Sequence, residues 1–295
     1  MIYIYDDKRT GWGKIMARLL SAADCKLFSK ASEVDGQGFV YMHPTHLPID
    51  QRNNDKAIMQ ELDKRDELTL IPSAREVALY DDKVAQYQEF GNWMPDTLLA
   101  SDRETALSYI GRLGFPFVSK SAMGAGASNV RLIRNKYEAL AEIYIVFSDG
   151  IAGARGGVQK DYVLWQKWVA GLEINWRVVV LANKYFIVTK RWNEKDKKFV
   201  NDRGRIETLI ELDDDAKEMV NFAKGFVQAN CFKWVAIDII KESKNKKLYV
   251  LETSTGWPMW WFDNGMIFNK DLGPVEYAKD VLYLVGDMFK EGDFD

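Results

Sequence analysis

Short apolar runs punctuate the chain and give way repeatedly to helical spacings. IYIY (2–5) predicts a strand, and GWGKIMARLLSAA behind it predicts a helix with Ile15, Leu19 and Ala22 on one face. CKLF (25–28) and FVYM (39–42) read as two further short strands, with the loop EVDGQG between them. Asp50 is placed to cap a helix running through Arg65, and LTLIP (68–72) is a strand stopped by Pro72. Strands alternating with helices predict a parallel, Rossmann-like sheet over residues 1–75. No GxGxxG follows the first strand, so a dinucleotide site has no support.

From Ser73 the pattern changes. Glu76 three residues on makes a capping box, and the helix it opens carries the cluster Asp81-Asp82-Lys83. TLLA after Pro95 is a strand, DRETALSYIGRL a helix, FPFVSK (115–120) a strand and VRLI (130–133) another. DGIAGARGG (149–157) reads as a mobile loop. YVLWQKWV, INWRVVVL and YFIVTKRW are three strands in close succession, followed by the charged loop DKKFVNDRGR and a helix from Asp213 to about Asn230. FKWVAIDIIKESKNKKLYVLETS then reads as a hairpin. The division expected is 1–75, 76–160 and 161–295, with an α/β character that becomes α+β toward the C-terminus.

Composition narrows the chemistry. At 295 residues, 47% hydrophobic and 28% charged, the chain is globular and long enough for two domains. A net charge of −3 gives no general pull toward nucleic acid or anionic membrane. Two cysteines, Cys25 and Cys231, exclude a disulfide framework and a cysteine zinc cluster, sit in apolar strand contexts that read as core, and fit a reducing, cytoplasmic setting. The N-terminus lacks a signal-peptide core, and no apolar run reaches the roughly 18 residues of a membrane span. With only His43 and His46, flanking a proline in a turn, the chemistry falls to carboxylates, Lys, Arg and backbone amides.

The strongest pattern is the pair Asp238 and Glu252. The hairpin turn centres near Asn245, and the two acids are symmetric about it, so they oppose each other with Cβ atoms about 4.5–5.5 Å apart. Alternation puts Trp234, Ala236, Asp238 and Ile240 on one face, meeting Val250, Glu252 and Ser254. Two opposed acids in apolar strands repel unless a cation lies between them. Magnesium, which takes one or two carboxylates plus phosphates, satisfies that need; one carboxylate at a sheet edge pairing with a lysine also does. Ahead of them, SAMGAGASN (121–129) follows Lys120. Gly124 and Gly126 allow a loop whose amides face an anion, with Lys120 adding charge; a plain flexible hairpin loop has the same composition.

In order, these segments resemble the ATP-grasp superfamily across roughly residues 70 to 290. Asp82-Lys83 stands at that family's "DK", PFVSKSAMGAGASNV resembles its strand, lysine and glycine-rich lid, and WQKWVAGLE its interdomain hinge. The resemblance implies a Rossmann-like N-terminal domain followed by two subdomains holding a nucleotide between antiparallel sheets. Lys83, Lys120, Gly124, Gly126 and Ser128 would bind the phosphates; Gln166, Lys167, Trp168 and Val169 would line the adenine; and Glu173 would take the ribose hydroxyls. Arg177 and Arg191, in the stretch similar to "D-I-R-V", would face the phosphates or an acyl-phosphate. Asp238 and Glu252 occupy the two magnesium positions, with Ser254 where the family has asparagine. The arrangement is similar to the ribosomal-protein glutamate ligase and glutathione synthetase branch.

The implied activity is ATP-dependent carboxylate–amine ligation, with ATP and Mg²⁺ as cofactors and a small-molecule or peptide carboxylate and an amine acceptor as substrates. A protein or modified nucleobase acceptor and a homodimer stay open. A phosphotransferase of the same fold and a nucleotide-binding regulatory module, for which Ser254 is the motivating departure, remain rivals. Trp257, Trp260 and Trp261 read either as an aromatic wall for substrate or as packing for the C-terminal helix. Lys195, Lys197, Lys198, Arg203 and Arg205 read as a solvated loop or as a site for an acidic or nucleic-acid substrate. Replacing Asp238 or Glu252 with Ala is expected to abolish turnover and leave the fold intact.

Overall fold

A computed structural model describes residues 1–8, 11–19, 25–44, 48–124, 129–153, 156–169, 174–193, 198–199, 207–208, 212–256 and 288. The first sheet is parallel, in the order β2-β1-β3-β4, from β1 (Ile2–Tyr5), β2 (Cys25–Phe28), β3 (Gly38–Tyr41) and β4 (Leu68–Ile71). Helices α1 (Trp12–Leu19) and α2 (Ile49–Leu62) make the crossovers. On α1 the expected face is wrong by one position: Met16 is fully buried while Ile15 is 40% exposed. Pro48 rather than Asp50 begins α2, and Asp50 lies in its first turn.

The Ser73–Glu76 capping box forms, opening α3 (Ala74–Leu79). Glu76 does more than cap, because its other oxygen accepts the backbone N–H groups of Lys233 (2.7 Å) and Trp234 (2.8 Å). The acidic cluster is not inside that helix. Asp81 adopts a left-handed φ of 51°, and Asp82 caps a second helix, α4 (Lys83–Phe90), by accepting from the Ala85 N–H. The chain turns there, and Lys83 opens the second helix.

The second sheet runs β5-β10-β6-β7, all antiparallel, from β5 (Thr97–Ala100), β6 (Phe117–Lys120), β7 (Val130–Ile133) and β10 (Val163–Lys167). Helices α5 (Arg103–Ser108) and α6 (Lys136–Val146) flank it. Instead of a simple loop, the 149–157 region contributes to a small ladder of β8 (Ile151–Ala152) on β9 (Val158–Gln159).

The third sheet carries the site. Its order is β13-β12-β11-β15-β16, with β14 on β12, from β11 (Ile174–Leu181), β12 (Lys184–Asn193), β13 (Lys198–Phe199), β14 (Glu207–Thr208), β15 (Trp234–Lys241) and β16 (Leu248–Ser254). Helix α7 (Asp214–Asn230) covers one face, where Trp176, Val178, Ile237 and Ile239 pack against Met219 and Ala223. Cys231 ends α7 in a left-handed conformation and is exposed, not core.

Candidate nucleotide site

The hairpin register matches its prediction where it matters: Asp238 lies opposite Glu252. Beyond that pair the ladder slips by one residue, so Ile239 pairs with Val250 and Ile240 with Tyr249. The extra residue is Leu251, and the bulge carries Val250 to the α7 face with Ile239 instead of to the acids' face. On the other flank Asp238 lies opposite Arg177 of β11. Arg177, Asp238 and Glu252 thus form one row across three adjacent strands.

Arg177 grips Asp238 in a two-pronged ion pair, Nε to Oδ1 at 2.6 Å and Nη2 to Oδ2 at 2.8 Å. Burial works against the Arg177 charge, and the Asp238 carboxylate more than offsets it, raising its pKa. Asp238 is buried, whereas the Glu252 side chain is 33% exposed and lies 3.3 Å from Lys83 Nζ. The expected question of which cation separates the two acids therefore has a partial answer in the protein's own arginine and lysine.

Lys83, at the first turn of α4, also donates to the Gly124 carbonyl at 2.8 Å. Lys120, at the end of β6, reaches β16 from the other side and donates to the Leu251 carbonyl at 3.1 Å. Burial pushes Lys120 down to about 8, with Glu252 and Asp238 pulling it back up. Two lysines expected to share a phosphate site thus converge on one strand. Below the left-handed turn, Asp81 accepts from the Gly124 N–H at 2.8 Å, and Arg52 of α2 donates to the Asp81 carbonyl at 2.5 Å and to Met123. Burial raises the pKa of Asp81, against the pull of Lys83. Counting named groups, Arg52, Lys83, Lys120 and Arg177 face Asp81, Asp238 and Glu252, an excess of one cation.

Gly124 has a φ of 136°, and a Cβ there would collide with Asn129. Three amides in the described part of the loop are engaged instead of open to an anion as expected: the Ser121 N–H donates to the Asn129 carbonyl at 3.1 Å, the Ala122 N–H to Tyr162 Oη at 2.6 Å and the Gly124 N–H to Asp81. Gly126 and Ser128 lie outside the described residues, as do Glu173, Trp257, Trp260 and Trp261. Arg191 is placed only through its strand, opposite Ile174.

Of the hinge residues, Val169 packs with Ile240, Tyr249 and Leu251 beside the row. Gln166 is buried and donates to Thr97 Oγ1 at 3.0 Å; Lys167 lies 3.7 Å from Asp96; Trp168 is partly exposed. Ser254 lies opposite Ala236 and donates to the Gly256 carbonyl at 3.2 Å. Gln86, one turn along α4 from Lys83, clamps the backbone between Glu252 and Ser254: its amide donates to the Thr253 carbonyl at 2.9 Å and accepts from the Thr253 N–H at 3.0 Å.

Sequence reasoning assigned no function to Arg52, Asp81, Gln86 or Tyr162. The Asp81-Asp82-Lys83 cluster was a visible signal for one of them; the others act on residues 29 to 167 positions away and leave no local pattern. Among the described residues no three carboxylate, imidazole or thiol groups converge as a metal cage. Two opposed carboxylates suit magnesium, which keeps waters and substrate phosphates in its remaining positions, and Glu252 is the accessible member. His43 lies apart from this row: it packs at a tilt on Trp12 with centroids 4.9 Å apart, its Nδ1 shares a hydrogen bond with the Tyr41 hydroxyl at 3.3 Å, and burial pushes its pKa down to about 4.

Three sheets, with an antiparallel one carrying a carboxylate pair and another carrying a lysine and a glycine-rich loop, define the ATP-grasp fold, and solved structures show it. The chain is similar to the RiPP-associated ATP-grasp ligase of Chryseobacterium gregarium, solved with ADP and a leader and core peptide (TM-score 0.62, 13% identity, 99% of this chain and 96% of that one). It is similar to D-alanine–D-alanine ligase of Bacillus anthracis (TM-score 0.61, 15% identity, 99% and 96%). A RimK domain ATP-grasp protein of Sphaerobacter thermophilus gives a TM-score of 0.59 at 11% identity, over 98% and 99%. No protein-family model and no curated protein matches the sequence.

Proposed function

We propose that the protein is an ATP-dependent carboxylate–amine ligase working through an acyl-phosphate. The observation that carries this reading is the row Arg177–Asp238–Glu252 with Lys83 and Lys120 converging on it. The N-terminal parallel sheet is read as the Rossmann-like domain of residues 1–75, with 76–160 and 161–295 as the two nucleotide-clasping subdomains.

Nucleotide phosphates lie over β16, between Lys83 and Lys120. A substrate carboxylate oxygen attacks the γ-phosphorus, the bond to the β-bridging oxygen breaks, and ADP leaves. An amine then attacks the acyl carbon, phosphate departs and the amine sheds a proton. Asp238 and Glu252, with Ser254 adjoining, are the residues that would hold magnesium, which when bound would neutralise charge on the phosphate oxygens. Lys83 and Lys120 favour the charge that builds on those oxygens, and the excess cation of the site acts in the same sense. The Asp238 ion pair fixes Arg177 so that its charge is in place before substrate arrives. Arg191 is assigned to the same end of the site. Residues 121–129 serve as the cover that keeps water from the acyl-phosphate.

Peptide or small-molecule carboxylates are the favoured substrates. The deciding experiment incubates the protein with ATP, magnesium and pooled carboxylates and amines, then follows phosphate and products by mass spectrometry. Free phosphate with a new amide supports ligation; phosphate on the product overturns it in favour of a phosphotransferase; tight magnesium-dependent ADP binding without turnover overturns it in favour of a regulatory module.

A further inference from the structure

The outer side of α6 is an apolar stripe open to solvent. Tyr137 is 70% exposed, Leu140 41%, Tyr144 63% and Ile145 42%, and Ala141 is exposed among them. Spacings of three and four residues put all five on one side of the helix. Both acids of the helix are engaged away from it: Glu138 pairs with Arg134, and Glu142 is buried with Arg131. Val158 of β9, 54% exposed, lies against Gly150 and continues the apolar surface past the carboxyl end. Apolar residues exposed singly need no explanation, but a contiguous stripe at helix-packing spacing marks an interaction surface.

The pattern of the stripe says what fits it. Turning α6 end for end about the midpoint of Leu140 and Ala141 carries Tyr137 onto Tyr144 and Leu140 onto Ala141. A two-fold axis there sets ring against ring at both ends and a large side chain against a small one in the middle, twice over. The helix ends agree. Beyond the Arg134–Glu138 pair the amino end keeps a cation, Lys136. At the carboxyl end Asp149 and Lys160 balance, and the last carbonyls leave a partial negative charge. Antiparallel pairing brings each cation to the other copy's carboxyl end.

We propose that α6 is a homodimer interface, on which a second copy of this chain docks its own α6 antiparallel. Phe117 and Ser119 of β6 face α6, so Lys120 lies on the other side of the sheet and the pairing leaves the candidate nucleotide site open. One helix face per copy is at the small end of interface sizes, so association is expected in the micromolar range.

Sedimentation of wild type from about 1 to 100 µM is expected to show the mass rising from monomer to twice that value. Tyr144→Glu and Leu140→Glu are each expected to weaken association about tenfold or more, with the melting temperature near wild type. Tyr144 is the more exposed, so its variant carries the test if Leu140→Glu melts early. Tyr137→Glu combined with Tyr144→Lys sets opposite charges across each pair and is expected to associate more tightly than Tyr137→Glu or Tyr144→Lys alone. Wild type that stays monomeric at about 100 µM overturns the proposal in favour of a different protein on this surface. A dimer that survives both single glutamate variants overturns it in favour of another face of the chain, and a double variant no tighter than the singles overturns the antiparallel register.

Discussion

Among the described residues two buried carboxylates are gripped by arginine, one in each of the two larger antiparallel sheets. Glu142 of α6 accepts from Ser119 Oγ at 2.6 Å, from Trp165 Nε1 at 2.8 Å and from Arg131, and its side chain is 4% exposed. Its partners come from β6, β10 and β7, so it ties a helix to the sheet beneath it. Asp238 has a comparable arginine, yet its neighbour across the ladder is a second carboxylate that reaches solvent, and two lysines stand over it. The same pairing is a strut where protein groups enclose it and a floor for a ligand where charge is left on one side. Burial alone does not distinguish the two; what lies next to the pair does.

The sharpest way to break the comparison is to remove charge from each half. Glu252→Gln is expected to lower ATP-dependent phosphate release by about 10³-fold or more while the melting temperature stays near wild type. Asp238→Ala is a poorer tool than the sequence alone suggests, because it strands Arg177 in the interior and costs stability as well as turnover. Glu142→Ala is expected to do the reverse of Glu252→Gln, costing about 3–5 kcal/mol in urea unfolding while the protein that remains folded keeps its nucleotide affinity. If Glu252→Gln melts early and Glu142→Ala loses nucleotide binding, the contrast is false.

Smaller effects sharpen it. Lys120→Met is expected to weaken ADP binding by about ten- to a hundredfold in calorimetry, the worth of a hydrogen bond to a charged group. Lys120 also offers a pH signature. Burial brings its folded pKa down to about 8 from 10.5, so charging it in the folded protein costs stability below pH 8, and that cost fades between pH 8 and 10.5. Phosphates brought against it raise its pKa. Binding of ADP at pH 8 is therefore expected to take up a fraction of a proton in the wild type that is missing in Lys120→Met, and at pH 6.5 the two proteins are expected to exchange the same number of protons, as read from calorimetry in buffers of different ionisation enthalpy.

The parts of this arrangement that were legible in the sequence are those with local periodicity. The hairpin turn fixed the Asp238–Glu252 pairing, because alternation and a symmetric turn leave one register for apolar strands. The slip at Leu251 had no signature, since a bulge depends on what packs against the strand. Helix α6 escaped because KYEALAEIYIV is apolar on its outer side too, with Tyr137 70% and Tyr144 63% exposed, so no stripe stands out. Lys83 and Lys120 were legible as residues of a motif, but Arg52 and Tyr162, which hold the stem of the glycine-rich loop, come from distant elements that only folding brings together.

One contact has a meaning beyond catalysis. β16 ends its sheet among the described residues, and a terminal strand with bare peptide groups invites another chain to add to it. The Gln86 carboxamide fills both hydrogen-bonding groups of Thr253 much as a neighbouring peptide unit would. A single side chain thereby blunts the strand's capacity for self-templated aggregation at the very position where the acidic floor must stay open.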